Sequence, residues 1–231
     1  MIAGLVFAAA PAMAQDDGHR ILLRDMVRTL RSGAYQGRNN GPEQTERVSH
    51  KVKIGRNGRF TLSNIAGDIV VTAGTGDEVS IEAVKRTRGD KSELARVQIT
   101  IEERGGRVDV QTEHEQNRRD RNGRNDHVSV DYTVAVPASA AVDLRSISGT
   151  IKVSGIHGSL RSETISGNVT ITDAPKLEAA KTVSGDVSLT GITTDGDLTA
   201  SSVSGSLRAR GLKARGIDLG IISGDIIIAK R

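Results

Sequence analysis

The side chains best suited to metal binding or acid–base chemistry lie in one polar stretch, residues 113–127. Two histidines and two carboxylates there, His114, Glu115, Asp126 and His127, are of the types that bind zinc. Their spacing is loose and the stretch is polar throughout, so a solvated loop is predicted instead of a metal site. Its arginines could bind a polyanion, but no aromatic residues alternate with them, as nucleic-acid surfaces usually require. The sequence therefore predicts no metal, no cofactor and no nucleic-acid partner.

The remaining carboxylates do not form a catalytic constellation. Asp186 and Asp197 are the residues on which cleavage of an acidic polysaccharide would depend, and such enzymes need clustered carboxylates and aromatic platforms for sugars. Acidic residues are scattered here, aromatic residues make up 2% of the chain, cysteine is absent, and there is no G-x-S-x-G motif. No catalytic residues are predicted, and a polysaccharide-active β-helix enzyme is kept only as an alternative.

A Ser-Gly pair that repeats down the last third of the chain indicates the architecture that positions these residues. Successive pairs are 18, 18, 20 and 19 residues apart, and a period near twenty is typical of stacked structural units. The five pairs are Ser148-Gly149, Ser166-Gly167, Ser184-Gly185, Ser204-Gly205 and Ser223-Gly224. Each glycine is expected at a tight corner with a positive φ, and short polar turn-formers follow it. A calcium ladder is the alternative for Gly-Asp repeats, but it needs more carboxylates than these coils carry.

Each repeat divides into two halves of about nine residues. Apolar residues two apart indicate strands whose intervening side chains point outward. The inward positions expected in the first repeat are Ile151, Val153, Ile156, Leu160, Ser162 and Ile165. The third position of each half, such as Ile156 or Ile165, is expected to anchor the turn that follows. In longer repeats the additional residues fall in turns such as 193–196. Leu177 lies one position off the template, which predicts a bulge or a local kink.

Similar spacings occur upstream of the main run. They begin at Phe60, pass through Ile69 and continue to Val79, Ile81 and Val84, so the solenoid is predicted to start near Phe60 and to be interrupted over roughly 85–141. The fold predicted is all-β: a single-stranded parallel β-solenoid, of the β-helix or β-roll type, with about 18–20 residues per coil and an inserted antiparallel hairpin region.

The interruption itself contains longer strands. Residues 97–101 and 108–110 flank the sequence Arg-Gly-Gly-Arg, which predicts a hairpin. Residues 128–136 alternate between apolar and polar up to Pro137, which is typical of a strand with one buried face. Residues 46–141 are therefore interpreted as an N-terminal β region, and residues 142–231 as solenoid repeats whose last coil is incomplete.

The first 14 residues have the apolar run and A-x-A ending of a secretory signal peptide, although no Lys or Arg precedes the run. Export to the periplasm, the cell envelope or the outside of the cell follows from this interpretation. Residues 15–45 are interpreted as a leader with a short amphipathic helix at 19–31 and a linker. No transmembrane segment is predicted, and the basic helix gives weak contact with a membrane surface as an alternative to capping the first coil. The net charge of +4 is a mild basic bias.

Three segments together resemble a known family. Residues 64–71 read NIAGDIVV, residues 128–137 read VSVDYTVAVP, and Val-Ser-Gly-Asp-Val units follow. In this respect the chain resembles the exported bacterial β-strand-repeat proteins grouped as a domain of unknown function and labelled "putative adhesin". The resemblance covers about residues 46–231. It implies a β-solenoid fold and an adhesion role, and it brings no catalytic residues.

The function expected from all of this is a non-catalytic, exported cell-envelope protein. Its strand faces would hold a surface polymer or a protein partner, and the open C-terminal coil is a further place for a partner to bind. An accessory in envelope-stress signalling, which would sense envelope damage through its open end, is the alternative hypothesis.

Overall fold

The computed structural model describes residues 42–114 and 128–229, which belong to one compact unit that begins at Pro42. The predicted signal peptide and the helix at 19–31 lie outside the described residues. Within these two ranges the chain forms one short 3-10 helix, Lys91–Arg96, and seventeen strands. In chain order the strands are β1 Gln44–Lys53, β2 Arg59–Ala66, β3 Ile69–Gly74, β4 Glu78–Thr87, β5 Val97–Arg104, β6 Arg107–His114, β7 Ser129–Pro137, β8 Ala141–Ser148, β9 Ile151–Ser154, β10 Leu160–Ser166, β11 Val169–Thr172, β12 Leu177–Ser184, β13 Val187–Thr190, β14 Asp197–Ser204, β15 Leu207–Arg210, β16 Gly216–Ser223 and β17 Ile226–Ala229.

Two sheets form the walls of a solenoid. One has nine strands in the order β1-β4-β7-β3-β9-β11-β13-β15-β17, and the other has eight in the order β16-β14-β12-β10-β8-β2-β6-β5. From β8 onward the chain alternates between the sheets, and each strand pairs in parallel with its equivalent one coil away. Each coil thus contributes one long strand to the eight-stranded sheet and one short strand to the nine-stranded sheet. The predicted parallel β-solenoid is confirmed.

The strands that interrupt the repeat in the sequence do not separate its coils in space. β2 pairs directly with β8, and β3 with β9, so the first coil is continuous with the main run. The intervening chain returns to the far side of that coil, where β6 pairs in parallel with β2 and β7 with β3. The expected hairpin is β5–β6, closed at Arg104 and Arg107, and it extends the eight-stranded sheet.

One upstream assignment is corrected. Val79 and Ile81 continue the spacing of the template, but they lie in β4, which pairs antiparallel with both β1 and β7. The spacing of two is common to parallel and antiparallel strands with one buried face, so it could not distinguish a coil from a returning strand. Both side chains are nevertheless buried, as expected.

The narrow core is filled mainly by Val, Ile, Leu and Ala from the inward faces of both sheets. The third position of the short halves is buried as predicted, because Ile156 and Ile192 turn inward after their strands end. The third position of the long halves is exposed, which corrects the expectation for Ile165. The long strand runs on to Ser166, so strict alternation puts Thr164 inside and the next residue outside.

The Ser-Gly pairs form the first corner of each coil, as predicted. Gly185 has φ +143°, and a Cβ there would overlap the carbonyl oxygen of Gly167 in the preceding coil. The hydroxyl of Thr182 donates to the Gly167 carbonyl at 2.9 Å, and the hydroxyl of Ser202 donates to the Gly185 carbonyl at 2.9 Å. The corner therefore needs glycine because successive coils stack there backbone on backbone.

A second corner follows each short strand. Gly155, Asp173, Gly191 and Gly211 occupy this position one coil apart, with φ values of 72°, 51°, 64° and 62°. The N–H of each donates to a carbonyl of the next coil, at 3.1 Å for Asp173 and Thr190. Asp173 is the one described residue other than glycine with a positive φ. The bulge predicted near Leu177 is also confirmed, since the pairing of β10 with β12 shifts register after Leu160.

Candidate interaction faces

The residues singled out for chemistry do not come together in a site. Among the four candidate metal ligands, His114 lies at the end of β6 and the other three lie outside the described residues. Asp186 and Asp197 are each held by an arginine, at 2.9 Å from Arg208 and Arg215 respectively. In the described ranges, 42–114 and 128–229, no three His, Asp or Glu side chains are grouped as metal ligands.

The polar residues that follow the corner glycines bind the backbone of the next coil. The side-chain oxygen of Asp68 accepts from the N–H of Thr150 at 2.8 Å, and the amide oxygen of Asn168 accepts from the N–H of Asp186 at 2.8 Å. Asp186 accepts in the same way from the N–H of Ser206 at 2.7 Å. This hydrogen bond, followed by that from an arginine, lowers the pKa of the Asp186 carboxyl. These side chains thus join successive coils along the corner.

An apolar ladder runs along the outside of the eight-stranded sheet. Each of its members immediately precedes a corner Ser-Gly pair, and each is exposed: 50%, 52%, 47%, 42% and 82% of its surface in chain order. We call these residues the outer ladder: Ile147, Ile165, Val183, Val203 and Ile222. Their neighbours on both sides are in register from coil to coil, so the five side chains stand beside one another. The half-buried Ile65 of β2 extends the ladder by one coil.

A polar row lies next to the outer ladder, two residues earlier in each strand. It alternates in charge over three successive coils, as Arg145, Glu163 and Lys181, and ends at Ser201 and Gly220. Glu163 and Lys181 are exposed and have no ion pair within the described part of the chain. Both side chains can therefore reach a molecule laid along this sheet.

The outer side of the nine-stranded sheet has a different chemistry. Two rows of outward side chains cross four coils there, and all eight members are hydroxyl-bearing or cationic. We call these residues the hydroxyl–cation face: Lys152, Ser154, Thr170, Thr172, Ser188, Thr190, Arg208 and Arg210. Within the described ranges Lys152 and Arg210 have no ion pair, whereas Arg208 is bound to Asp186. The face carries positive charge and no carboxylate of its own.

A groove of about 750 Å³ opens where this face meets the second corner. Its lining includes members of the hydroxyl–cation face and the corner residues beside them: Thr172, Asp173, Thr190, Gly191, Thr193, Arg210, Gly211 and Ala229. The Nε2 atom of His157 lies 3.5 Å from the carboxylate of Asp173 at the groove's margin. The groove is continuous with the face, because Thr172, Thr190 and Arg210 belong to both, and this suits an extended ligand better than a compact one.

The sequence indicated that strand faces would be exposed but did not identify these two. The outer ladder holds the third apolar position of each long half, which the repeat predicts to be an inward anchor of the turn, and this prediction is wrong. Counting strict alternation from the first inward residue, Leu160, to the last residue of the strand, Ser166, would have placed Ile165 outside. For the hydroxyl–cation face the signal was present, since alternate residues such as Thr170 and Thr172 are polar between buried neighbours.

No helix in the described residues is both long and apolar enough to cross a membrane.

Comparison with known proteins gives a family and some distant structural likenesses. A "putative cell adhesion protein" from Clostridium sporogenes is 10% identical, with a TM-score of 0.47, over 81% of this chain and 100% of its own. A "putative adhesin" from Bacteroides fragilis is 13% identical, with a TM-score of 0.38, over 80% and 97%. A "putative lipid binding protein" from Parabacteroides distasonis is 12% identical, with a TM-score of 0.31, over 84% and 98%. No curated protein matches this chain.

The TM-scores lie below 0.5, so the family assignment depends on the sequence pattern alone. The family model described as Toastrack DUF4097 matches residues 59–231, which extend from β2 through the last described strand. The chain therefore belongs to the Toastrack family of domains of unknown function.

Proposed function

We propose that this chain is a non-catalytic, exported scaffold of the cell envelope that binds an anionic surface polymer along its hydroxyl–cation face. The N-terminal sequence supports export, since it has the features of a signal peptide followed by a polar leader. The periplasm or the outer surface of the cell is then the compartment in which the polymer would be met.

The observation that carries this proposal is the repetition of the hydroxyl–cation face. Thr172 and Thr190 lie beside each other in register, and Arg210 follows in the same row. Adjacent strands are about 4.8 Å apart, so donors recur at that interval along the solenoid. A regular series of hydroxyl and cationic donors matches a polymer whose carboxylate or phosphate groups also recur, and each contact adds to the others.

The state of the carboxylates supports a binding role over a catalytic one. A general acid needs a carboxyl whose pKa is raised toward neutrality. At Asp197 the hydrogen bonds from Arg215 lower the pKa of the carboxyl, and at Asp186 the Ser206 N–H does so. Both groups thus remain ionised and engaged in holding coils together.

The proposal is tested by measuring binding of the full chain to polygalacturonate, with neutral dextran as the comparison polymer. We expect saturable binding to polygalacturonate that weakens as salt is raised, since exposed charges are screened beyond about 8 Å at physiological ionic strength. The double variant Lys152→Gln, Arg210→Gln removes two cations from the face and should weaken this binding at least about tenfold.

The matched control removes the same charge elsewhere. Arg47 and Lys51 are exposed on β1, at the far edge of the nine-stranded sheet, and Arg47→Gln with Lys51→Gln should leave binding within about twofold. Equal weakening by both double variants would show that net charge, and not the face, drives binding. Failure of the wild-type chain to bind polygalacturonate or any component of an envelope extract above background would contradict the proposal.

A further inference from the structure

The outer ladder lies on the opposite sheet from the proposed polymer face, and binding of a polymer does not account for it. We propose that it is the contact surface for a second copy of this chain, with the two solenoids packed face to face and running in opposite directions. This inference is independent of the proposed function, because it uses none of the residues of the hydroxyl–cation face.

The first argument is the extent and regularity of the apolar surface. Five exposed β-branched side chains in adjacent coils form a strip about 24 Å long when Ile65 is included. Isolated apolar residues are common on protein surfaces, but a contiguous strip of this length marks an interaction site. The strip lies on strands paired in register, so its side chains are already aligned to pack against another sheet.

The second argument is that the strip is complementary to itself. Consider a twofold axis parallel to the strands that passes between the coils of Ile165 and Val183. It places Ile165 opposite Val183 of the second copy, and each further pair of coils meets in the same way. Six apolar residues then face six, and every member from Ile65 to Ile222 has an apolar partner.

The third argument is the charge of the adjoining row. The same axis places Glu163 opposite Lys181 of the second copy, and Lys181 opposite Glu163 of the second copy. Arg145 then faces Ser201, so no two like charges of this row oppose each other. If the solenoids ran in the same direction, the row, two residues before the ladder, would face the corner glycines two residues after it and form no ion pairs. Charge therefore selects the antiparallel arrangement.

The area is sufficient for a specific contact. Six coils and three outward rows of the eight-stranded sheet give a footprint of about 29 Å by 20 Å, or about 600 Å² on each copy. The total of about 1,200 Å² exceeds the roughly 1,000 Å² expected of a biological interface. The hydroxyl–cation faces would then point away from each other on opposite sides of the dimer.

The test is the oligomeric state of the full chain by sedimentation velocity over a range of concentrations, with three chains compared. Wild type should dimerise. Each single variant, Glu163→Lys or Lys181→Glu, puts like charges at both of the two symmetry-related contacts of the dimer. Each should therefore weaken dimerisation at least about tenfold. Both residues are exposed, and far-ultraviolet circular dichroism confirms that each variant is folded.

Mixing the two single variants is the decisive measurement. In a heterodimer of Glu163→Lys with Lys181→Glu, both cross-copy contacts again join opposite charges, so dimerisation should return to within about threefold of wild type. The rescue cannot come from changes inside one chain, because each chain still carries the substitution that weakens its own homodimer. A wild-type chain that stays monomeric at about 100 μM would overturn the inference, because its dissociation constant would then be larger than that of most specific contacts. So would a dimer that neither single variant weakens, or a mixture that associates no better than its components.

Discussion

Replacing Gly185 by alanine tests whether coil stacking at the first corner requires glycine. The φ of +143° is nearly restricted to glycine, and a side chain there is strained by about 1–3 kcal/mol. The new Cβ would also overlap the carbonyl of Gly167, so the two coils must separate. Separation weakens the neighbouring hydrogen bond that joins these two coils, from Gly167 N–H to the Ser184 carbonyl, now 2.8 Å, at a cost of about 1 kcal/mol or more. We expect a total loss of about 2–4 kcal/mol in the free energy of unfolding.

Two glycines of the same region separate the causes of this loss. Gly191 also has a left-handed φ, of +64°, but a Cβ there meets no atom within 4 Å. Gly191→Ala should therefore cost only the backbone strain, about 1 kcal/mol. At Gly196 the φ is outside the left-handed region and the nearest atom would be 3.6 Å away, so Gly196→Ala should change stability by less than about 0.5 kcal/mol.

The assay is urea unfolding of the full chain and the three variants, followed by far-ultraviolet circular dichroism at one protein concentration. The predicted order of stability is Gly196→Ala, then Gly191→Ala, then Gly185→Ala as the least stable. If Gly185→Ala lost no more stability than Gly191→Ala, overlap with the preceding coil would not be what requires glycine at the corner.

Three further predictions concern single side chains. Asp173→Gly should raise the free energy of unfolding by about 0.5 kcal/mol, because Asp173 has a left-handed φ of 51° where its counterparts are glycines; a loss of stability in urea unfolding would contradict this. The Ser206 N–H lowers the pKa of the Asp186 carboxyl in the folded protein. The ionised carboxyl therefore contributes its full stabilisation above the pKa that it has in the unfolded chain, near 4. That stabilisation is lost as the pH falls through the lower pKa of the folded protein. Asp186→Asn keeps the acceptor and should reduce the pH dependence of the urea midpoint between about pH 2 and 5, and an unchanged dependence would refute the assignment. Burial raises the pKa of Tyr132 to about 12. The chain has two tyrosines, so Tyr35→Phe leaves Tyr132 as the one phenol whose absorbance is measured. Its phenolate absorbance should appear near pH 12, and an appearance near pH 10 would contradict burial.

The repeat itself was readable from the sequence because each coil obeys the same local rules. Glycine marks the corners, turn-formers absorb insertions, and inward residues alternate with outward ones. Even the defect at Leu177 was visible, since a single displaced apolar residue in a regular series requires a bulge. The hairpin between β5 and β6 was predicted from its Gly-Gly turn.

What the sequence could not supply was the position of strands far apart in the chain. Nothing local distinguishes β4, which returns antiparallel, from a strand of a coil, because both bury alternate residues. The outer ladder was missed for a related reason: Ile165 and Ile156 are the same residue type at similar offsets, and only the end of the strand decides which one faces outward. Register between coils, which aligns the two interaction faces, depends on backbone pairing that side-chain types do not encode.

The first coil illustrates a consequence of connectivity for the kinetics of folding. β2 is held between β6 and β8, and both are made later in synthesis than β2 itself. Residues 59–74 pair in parallel only with residues 107–111, 132–137, 141–148 and 151–154, which lie far along the chain, whereas each coil after β9 pairs with the coil just before it. Closure of the first coil should therefore be the slow step, after the later coils have formed. Pulsed hydrogen exchange during refolding would show this as late protection of β2, and early protection there would contradict it.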